Sequence, residues 1–116
     1  MLNELIGATV TVTVDRPLGS RHPNFPELIY TVNYGFIDGL LGGDGEAQDA
    51  YILGVSEPLD SFYGRVIAII HRTDDVEDKL VVAPEGITFT EEQIVSMTHF
   101  QERYFNSTLQ VRATSD

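Results

Sequence analysis

Residues 8–15 read Ala-Thr-Val-Thr-Val-Thr-Val-Asp, and this alternation constrains the fold more than any other feature of the chain. A strand has a side-chain period of two, so it gathers the valines on one face and the threonines on the other. A second constraint is Val66–Ile70, five aliphatic residues without polar alternation. Such a run predicts a central strand covered on both faces.

The rest of the β pattern follows. Pro17, Gly19, Pro23 and Pro26 break regular structure, so 16–26 is expected as a loop. Glu27–Phe36, rich in aromatic and β-branched residues, is expected as the second strand. Asp38–Gly45 carries four glycines and is expected as a loop. Ala50–Val55, Arg65–His71 and Lys79–Val82 are expected as the third, fourth and fifth strands, with a short last strand at Thr108–Arg112. One helix is signalled over 91–105. Thr90-Glu91-Glu92-Gln93 forms a capping box. Ile94, Met97, Phe100 and Tyr104 then share one stripe, which places the Tyr104 ring in the core and His99 on the opposite face. The expected fold is mainly β with one C-terminal helix, a small OB-like β-barrel, closed or partly open, with a sandwich as the alternative. A chain of 116 residues holds it as a single domain, 1–116.

Charge narrows the function. Seven Lys and Arg stand against 18 Asp and Glu, a formal balance of −11. That argues against a sequence-independent nucleic-acid binder and against docking on anionic membranes. It favours binding of cations, or of anions through cations. The absence of cysteine removes disulfides, Cys-ligated metals and thiol nucleophiles. The first residues carry no basic segment and no long apolar run, so a cytoplasmic protein without a signal peptide is expected.

Eight of the 18 acids lie in two short groups. Asp38, Asp44, Glu46 and Asp49 have no cation between them, and Gly42, Gly43 and Gly45 permit a tight turn there. Carboxylates converging from a loop suit a hard divalent cation. The alternative is a solvated acidic turn. The second group, Asp74-Asp75-Val76-Glu77-Asp78-Lys79, joins two strands and ends on the only lysine in the chain. A lysine beside metal-bound carboxylates grips phosphate. The alternative is a charged hairpin tip of little energetic consequence. Both groups on one barrel face would furnish a two-metal phosphoryl-transfer site. Tyr30, Tyr34 and Tyr104 are candidate phosphate donors, with core packing the alternative for the strand tyrosines. His22, His71 and His99 are isolated and are assigned to no metal.

These motifs resemble a known family. Tyr30-Thr31-Val32-Asn33-Tyr34-Gly35-Phe36-Ile37, followed by Gly43-Asp44-Gly45-Glu46-Ala47-Gln48-Asp49, is similar to the signature of the family I soluble inorganic pyrophosphatases. The likeness continues through Thr73-Asp74, Lys79-Leu80-Val81 and Ala83-Pro84 to His99-Phe100-Gln101-Glu102-Arg103-Tyr104. The resemblance implies hydrolysis of pyrophosphate to two phosphates with Mg2+, for which Mn2+ is a possible substitute, in a homo-oligomer. It implies Asp44, Asp49 and Asp74 as metal ligands, with Glu77 at a further metal position and Asp15 matching a metal-near glutamate. Asp44, Glu46 and Lys79 would be catalytic, Glu46 standing near the nucleophilic water as a general base. Lys79, Tyr34 and Tyr104 would hold phosphate oxygens, with Tyr30 in support.

The departures are as specific. Glu46 replaces an aspartate and lengthens the side chain at a position sensitive on the ~1 Å scale. Thr31 stands for the usual proline, and Phe105 for the lysine after the helix tyrosine. The acidic hairpin is short, and the family's strand with a site lysine and glutamate has no counterpart. Arg16 or Arg21 is expected to supply the missing cation. The alternatives to a pyrophosphatase are a non-catalytic metal- or phosphate-binding relative and a hydrolase of another phosphoanhydride.

Overall fold

The computed structural model describes residues 2–43, 45–75 and 77–111. A 3-10 turn, Leu2–Leu5, leads into β1 (Thr9–Arg16), β2 (Asn33–Leu41), β3 (Ala47–Ile52), β4 (Ser61–Arg72) and β5 (Asp78–Ala83). Helix α1 (Glu91–Glu102) and β6 (Ser107–Gln110) follow. The sheet order is β1-β2-β3-β5-β4-β6, and β4 also pairs with β1. That extra pairing closes five strands into a barrel, and β6 extends the sheet from β4. The first part of β1, Thr9–Thr13, pairs with β4, and its last part turns to β2. All pairings are antiparallel except β3 with β5. The expected OB-like barrel with one helix near the C-terminus is what forms.

Period-two alternation divides the buried residues into two cores. Val12, Ile37, Ala50, Ile52, Val66, Ile69, Leu80 and Val82 fill the barrel. Tyr34, Tyr51, Leu53, Ala68, Ile70 and Val81 project from the same strands to the other side, where Ile94 of α1 and Tyr30 meet them. The central strands are therefore covered on both faces, as Val66–Ile70 predicts. Gly35 lets β1 and β2 approach closely, because a Cβ there would overlap the Thr13 carbonyl oxygen. Among the described residues, no helix is long and apolar enough to cross a membrane.

Several boundaries differ from expectation. β2 starts at Asn33, not at Glu27. The backbone of 20–30 is committed to itself instead: Tyr30 N–H donates to the Ser20 carbonyl, and His22 N–H to the Leu28 carbonyl, each within 2.9 Å. β2 then runs on to Leu41 through the expected loop. Gly39, at φ 85°, absorbs the register irregularity between Ile37 and Leu41. β3 begins earlier, at Ala47, and β4 begins at Ser61 because β1 pairs with its first residues.

The capping box at Thr90 is formed as the sequence predicts. Thr90 accepts from Gln93 N–H at 3.1 Å, and Gln93 accepts from Thr90 N–H at 2.8 Å. The helix, however, ends at Glu102. Tyr104 lies beyond it with 58% of its surface exposed, which corrects the expectation of a core ring. The helical face that is buried most deeply carries Ile94, Thr98, Gln101 and Glu102, with Met97 and Phe100 packed at its flank. The last strand, Ser107–Gln110, stops before Arg112, which lies outside the described residues.

Candidate active site

The same alternation that builds the two cores delivers the charged groups. Asp49 is two residues before Tyr51, Lys79 two before Val81, and Arg72 two after Ile70. Each thus continues the strand face that lies under α1, at the end where apolar side chains give out. There they border a cavity of about 500 Å³. Asp15, Arg16, Tyr34, Asp49, Arg72, Glu77 and Lys79 supply its charged and polar side. Phe25, Leu28, Tyr104 and Phe105 supply an apolar side.

Lys79 is the centre of the polar side. Ala50 of β3 sits beside Leu80 of β5, so Asp49 and Lys79 are neighbours across the parallel pair. Lys79 Nζ donates to Asp49 Oδ2 at 2.6 Å and to Glu77 Oε2 at 3.3 Å, and it lies 5.8 Å from the Tyr34 ring centre. Tyr34 is hydrogen-bonded to Asp49. Burial first, and the Asp49 charge second, push its phenol far above the usual range, so the hydroxyl remains a neutral donor. Asp15 stays in contact with solvent. Partial burial and Asp49 nearby raise its carboxyl above the usual value against the opposing pull of Arg16.

Beneath the cavity, one chain of hydrogen bonds joins two guanidinium groups. Arg16 donates to the Tyr30 hydroxyl at 2.8 Å, and Tyr30 donates to Gln101 Oε1 at 2.6 Å. Gln101 Nε2 donates to the Tyr51 hydroxyl at 2.7 Å, and Tyr51 donates to Glu102 Oε2 at 2.5 Å. Arg72 closes the chain, donating Nη2 to Glu102 Oε2 at 2.7 Å and Nε to Oε1 at 3.1 Å. Burial opposes the charge on Arg72, but Glu102 outweighs it and holds the guanidinium firmly protonated. Burial and then Glu102 raise the Tyr51 phenol, so this hydroxyl too stays neutral. The Phe105 ring lies over Arg72, 3.6 Å from the guanidinium carbon.

The structure thus brings together Asp15, Arg16, Tyr34, Asp49, Glu77, Lys79 and Tyr104 of the residues expected at a site. Tyr30 stands behind them, fully buried, as a support for Arg16. Arg21 does not join them; its guanidinium donates to the Pro26 carbonyl at 2.8 Å. Glu46 and Asp74 are exposed and outside the cavity lining, and the Asp74 carboxylate accepts from Asn106 N–H at 3.1 Å. Asp44 lies outside the described residues.

Arg72, Gln101 and Glu102 were not singled out from the sequence. A signal was present: Gln101 and Glu102 fall seven and eight residues after Ile94, on a stripe that ought to be apolar.

The carboxylates suit a divalent cation in kind. No group of three Asp, Glu or His converges on one point among the described residues. Magnesium does not demand that, because it keeps waters and is held through one or two carboxylates plus substrate phosphates. Asp49 and Glu77, with 29% and 26% of their side chains exposed, are donors of this type beside Asp15.

The sequence and fold have counterparts. No family model matches the sequence. An inorganic pyrophosphatase of Corynebacterium efficiens is 29% identical, over 76% of this chain and 68% of that protein. The fold is shared with solved inorganic pyrophosphatases. That of Neisseria gonorrhoeae is 20% identical with a TM-score of 0.63, covering 96% of this chain and 87% of that one. That of Thermus thermophilus is 19% identical with a TM-score of 0.65, covering 90% and 83%. That of Ehrlichia chaffeensis is 16% identical with a TM-score of 0.68, covering 89% and 85%. The resemblance to the inorganic pyrophosphatases is borne out.

Proposed function

We propose that this pyrophosphatase-like chain hydrolyses inorganic pyrophosphate to two phosphates, with magnesium as its cofactor and manganese as a possible substitute. The observation that carries the reading is Lys79, buried in one cavity with Asp49, Glu77 and Tyr34 around it. Magnesium supplies positive charge that offsets the phosphates and acidifies water. Asp15, Asp49 and Glu77 would hold it, and the family resemblance adds Asp44 and Asp74 as further ligands. Lys79, which donates to Asp49 and Glu77, would donate to phosphate oxygens if those carboxylates held the cation. Tyr34, a donor at every ordinary pH, passes its hydrogen bond from Asp49 to the same oxygens. Arg16, locked by Tyr30, and Arg72, locked by Glu102, frame the phosphates from two sides. Arg72 thereby stands in for the lysine that Phe105 displaces. Tyr104 stands at the mouth, and Glu46, which lies outside the cavity lining, would be the base for the attacking water as the resemblance implies.

This reading carries a cytoplasmic, homo-oligomeric protein of one domain that binds neither nucleic acid nor membrane, and the balance of −11 supports the latter two. The test is phosphate release from pyrophosphate with magnesium. The expected result is turnover in the native chain and loss of most of it in Asp44→Asn and Asp49→Asn. No release, or equal rates in all three, overturns the reading.

A further inference from the structure

The cavity has more on its walls than pyrophosphate can use. Pyrophosphate is small and wholly polar, and it gains nothing from burying hydrocarbon. Yet one wall is built from Phe25, Leu28, Tyr104 and Phe105, facing the charged side across about 500 Å³. That volume falls in the range of sites for organic ligands. Phe25 and Tyr104 are each 58% exposed, so large rings stand wet at the mouth of a charged site. Two of the rings are packed against side chains that line the same cavity, His22 and Arg72. The His22 ring leans on Phe25 at 5.1 Å between centroids, the Arg103 guanidinium lies 5.0 Å from the Tyr104 ring centre, and Arg72 supports Phe105. Flat aromatic faces beside phosphate-binding cations match one ligand chemistry: a diphosphate with a planar heterocycle attached.

Resting on the phosphoanhydride reading above, we infer that the cavity also takes nucleoside 5′-diphosphates, the diphosphate on Lys79 and Arg16 and the base stacked on the Phe25–Tyr104–Phe105 wall. Water oxygen bonds to the terminal phosphorus and the bridging P–O bond breaks. The nucleoside monophosphate leaves with the electron pair, and the water proton passes to solvent. The wall offers ring faces, with the His22 ring and the Glu27 carboxylate beside them in the lining; stacking tolerates any base, so purine and pyrimidine diphosphates both bind, ranked by stacking strength.

The test compares two non-hydrolysable ligands on the full chain by calorimetry with magnesium: methylenediphosphonate, and adenosine 5′-(α,β-methylene)diphosphate. The expected result is a nucleotide affinity roughly tenfold or more above that of methylenediphosphonate. Phe25→Ala then closes most of the gap by weakening the nucleotide more than the diphosphonate. Equal affinities in the native chain, or a gap unchanged in Phe25→Ala, overturn the inference and leave the pyrophosphate reading standing. A mass in light scattering that falls in Phe25→Ala, with no nucleotide advantage in the native chain, overturns it too and assigns the wall to contact between copies. Failure of both ligands to bind overturns the pyrophosphate reading and this inference with it.

Discussion

The two cores on either side of the barrel wall are made by the same strands and obey different rules. Ile52 and Tyr51 are consecutive and both fully buried. Ile52 enters a core of aliphatic side chains, whose stability follows from apolar area alone. Tyr51 enters a core whose hydroxyls each need a partner, between Gln101 and Glu102. The barrel interior tolerates reshaping. The tyrosine side is all or nothing, because loss of one member strands its neighbours in a low dielectric. The cavity stands on that less forgiving core, which gives its cations fixed positions.

The largest break in this comparison is Glu102→Gln. It removes the closest counter-charge of the buried Arg72 guanidinium, leaving Asp75 at 3.4 Å and Glu77 at 4.0 Å, and is expected to cost about 3 kcal/mol in urea unfolding. Arg72→Met combined with Glu102→Leu removes both charges and is expected to regain most of that loss. A double variant as unstable as the single one would show that the pair is not the cause. Next comes Tyr51→Phe, expected to cost about 1–3 kcal/mol, since Gln101 loses an acceptor and Glu102 a donor. Ile52→Val, the neighbouring position facing the aliphatic core, is expected to cost about 0.5–1.5 kcal/mol. The comparison fails if the two positions rank the other way in one denaturation series.

The smallest effect is a pH dependence at Asp15. Its folded pKa is raised above the unfolded value, so the folded state resists its ionisation. That penalty is absent below the unfolded pKa and develops as pH rises through the carboxylate range. Asp15→Asn is therefore expected to raise the melting temperature slightly at neutral pH and to leave it unchanged in acid. Solvent access to the carboxylate keeps the difference small. A stabilisation confined to acid would reverse the sign and contradict the placement of Asp15 beside Asp49.

Much of this was legible along the chain. Alternation in 8–15 predicted β1, the aliphatic run predicted the doubly covered β4, and Thr90 and Gln93 predicted where α1 begins. Asp49, Glu77, Lys79 and Tyr34 were singled out by residue type and spacing, and they share the cavity. Arg72 was not, because an arginine closing an apolar strand reads as its solvated end. Only the arrival of Glu102 from a helix 30 residues away makes it a buried cation. Arg16 and Arg21 read as equals along the chain, and the fold separates them: the loop that carries Arg21 bonds to itself and uses its guanidinium.

The sequence by itself determined which segments hold strands, where the helix starts and which side chains could bear charge, because these depend on neighbours within a few positions. The tertiary structure alone decided which of the acids and cations meet. Closing the barrel brought β3 and β5 side by side and set Asp49 against Lys79, residues 30 apart. A local pattern cannot encode that distance, since the strand register that sets it is chosen by the packing of both cores at once.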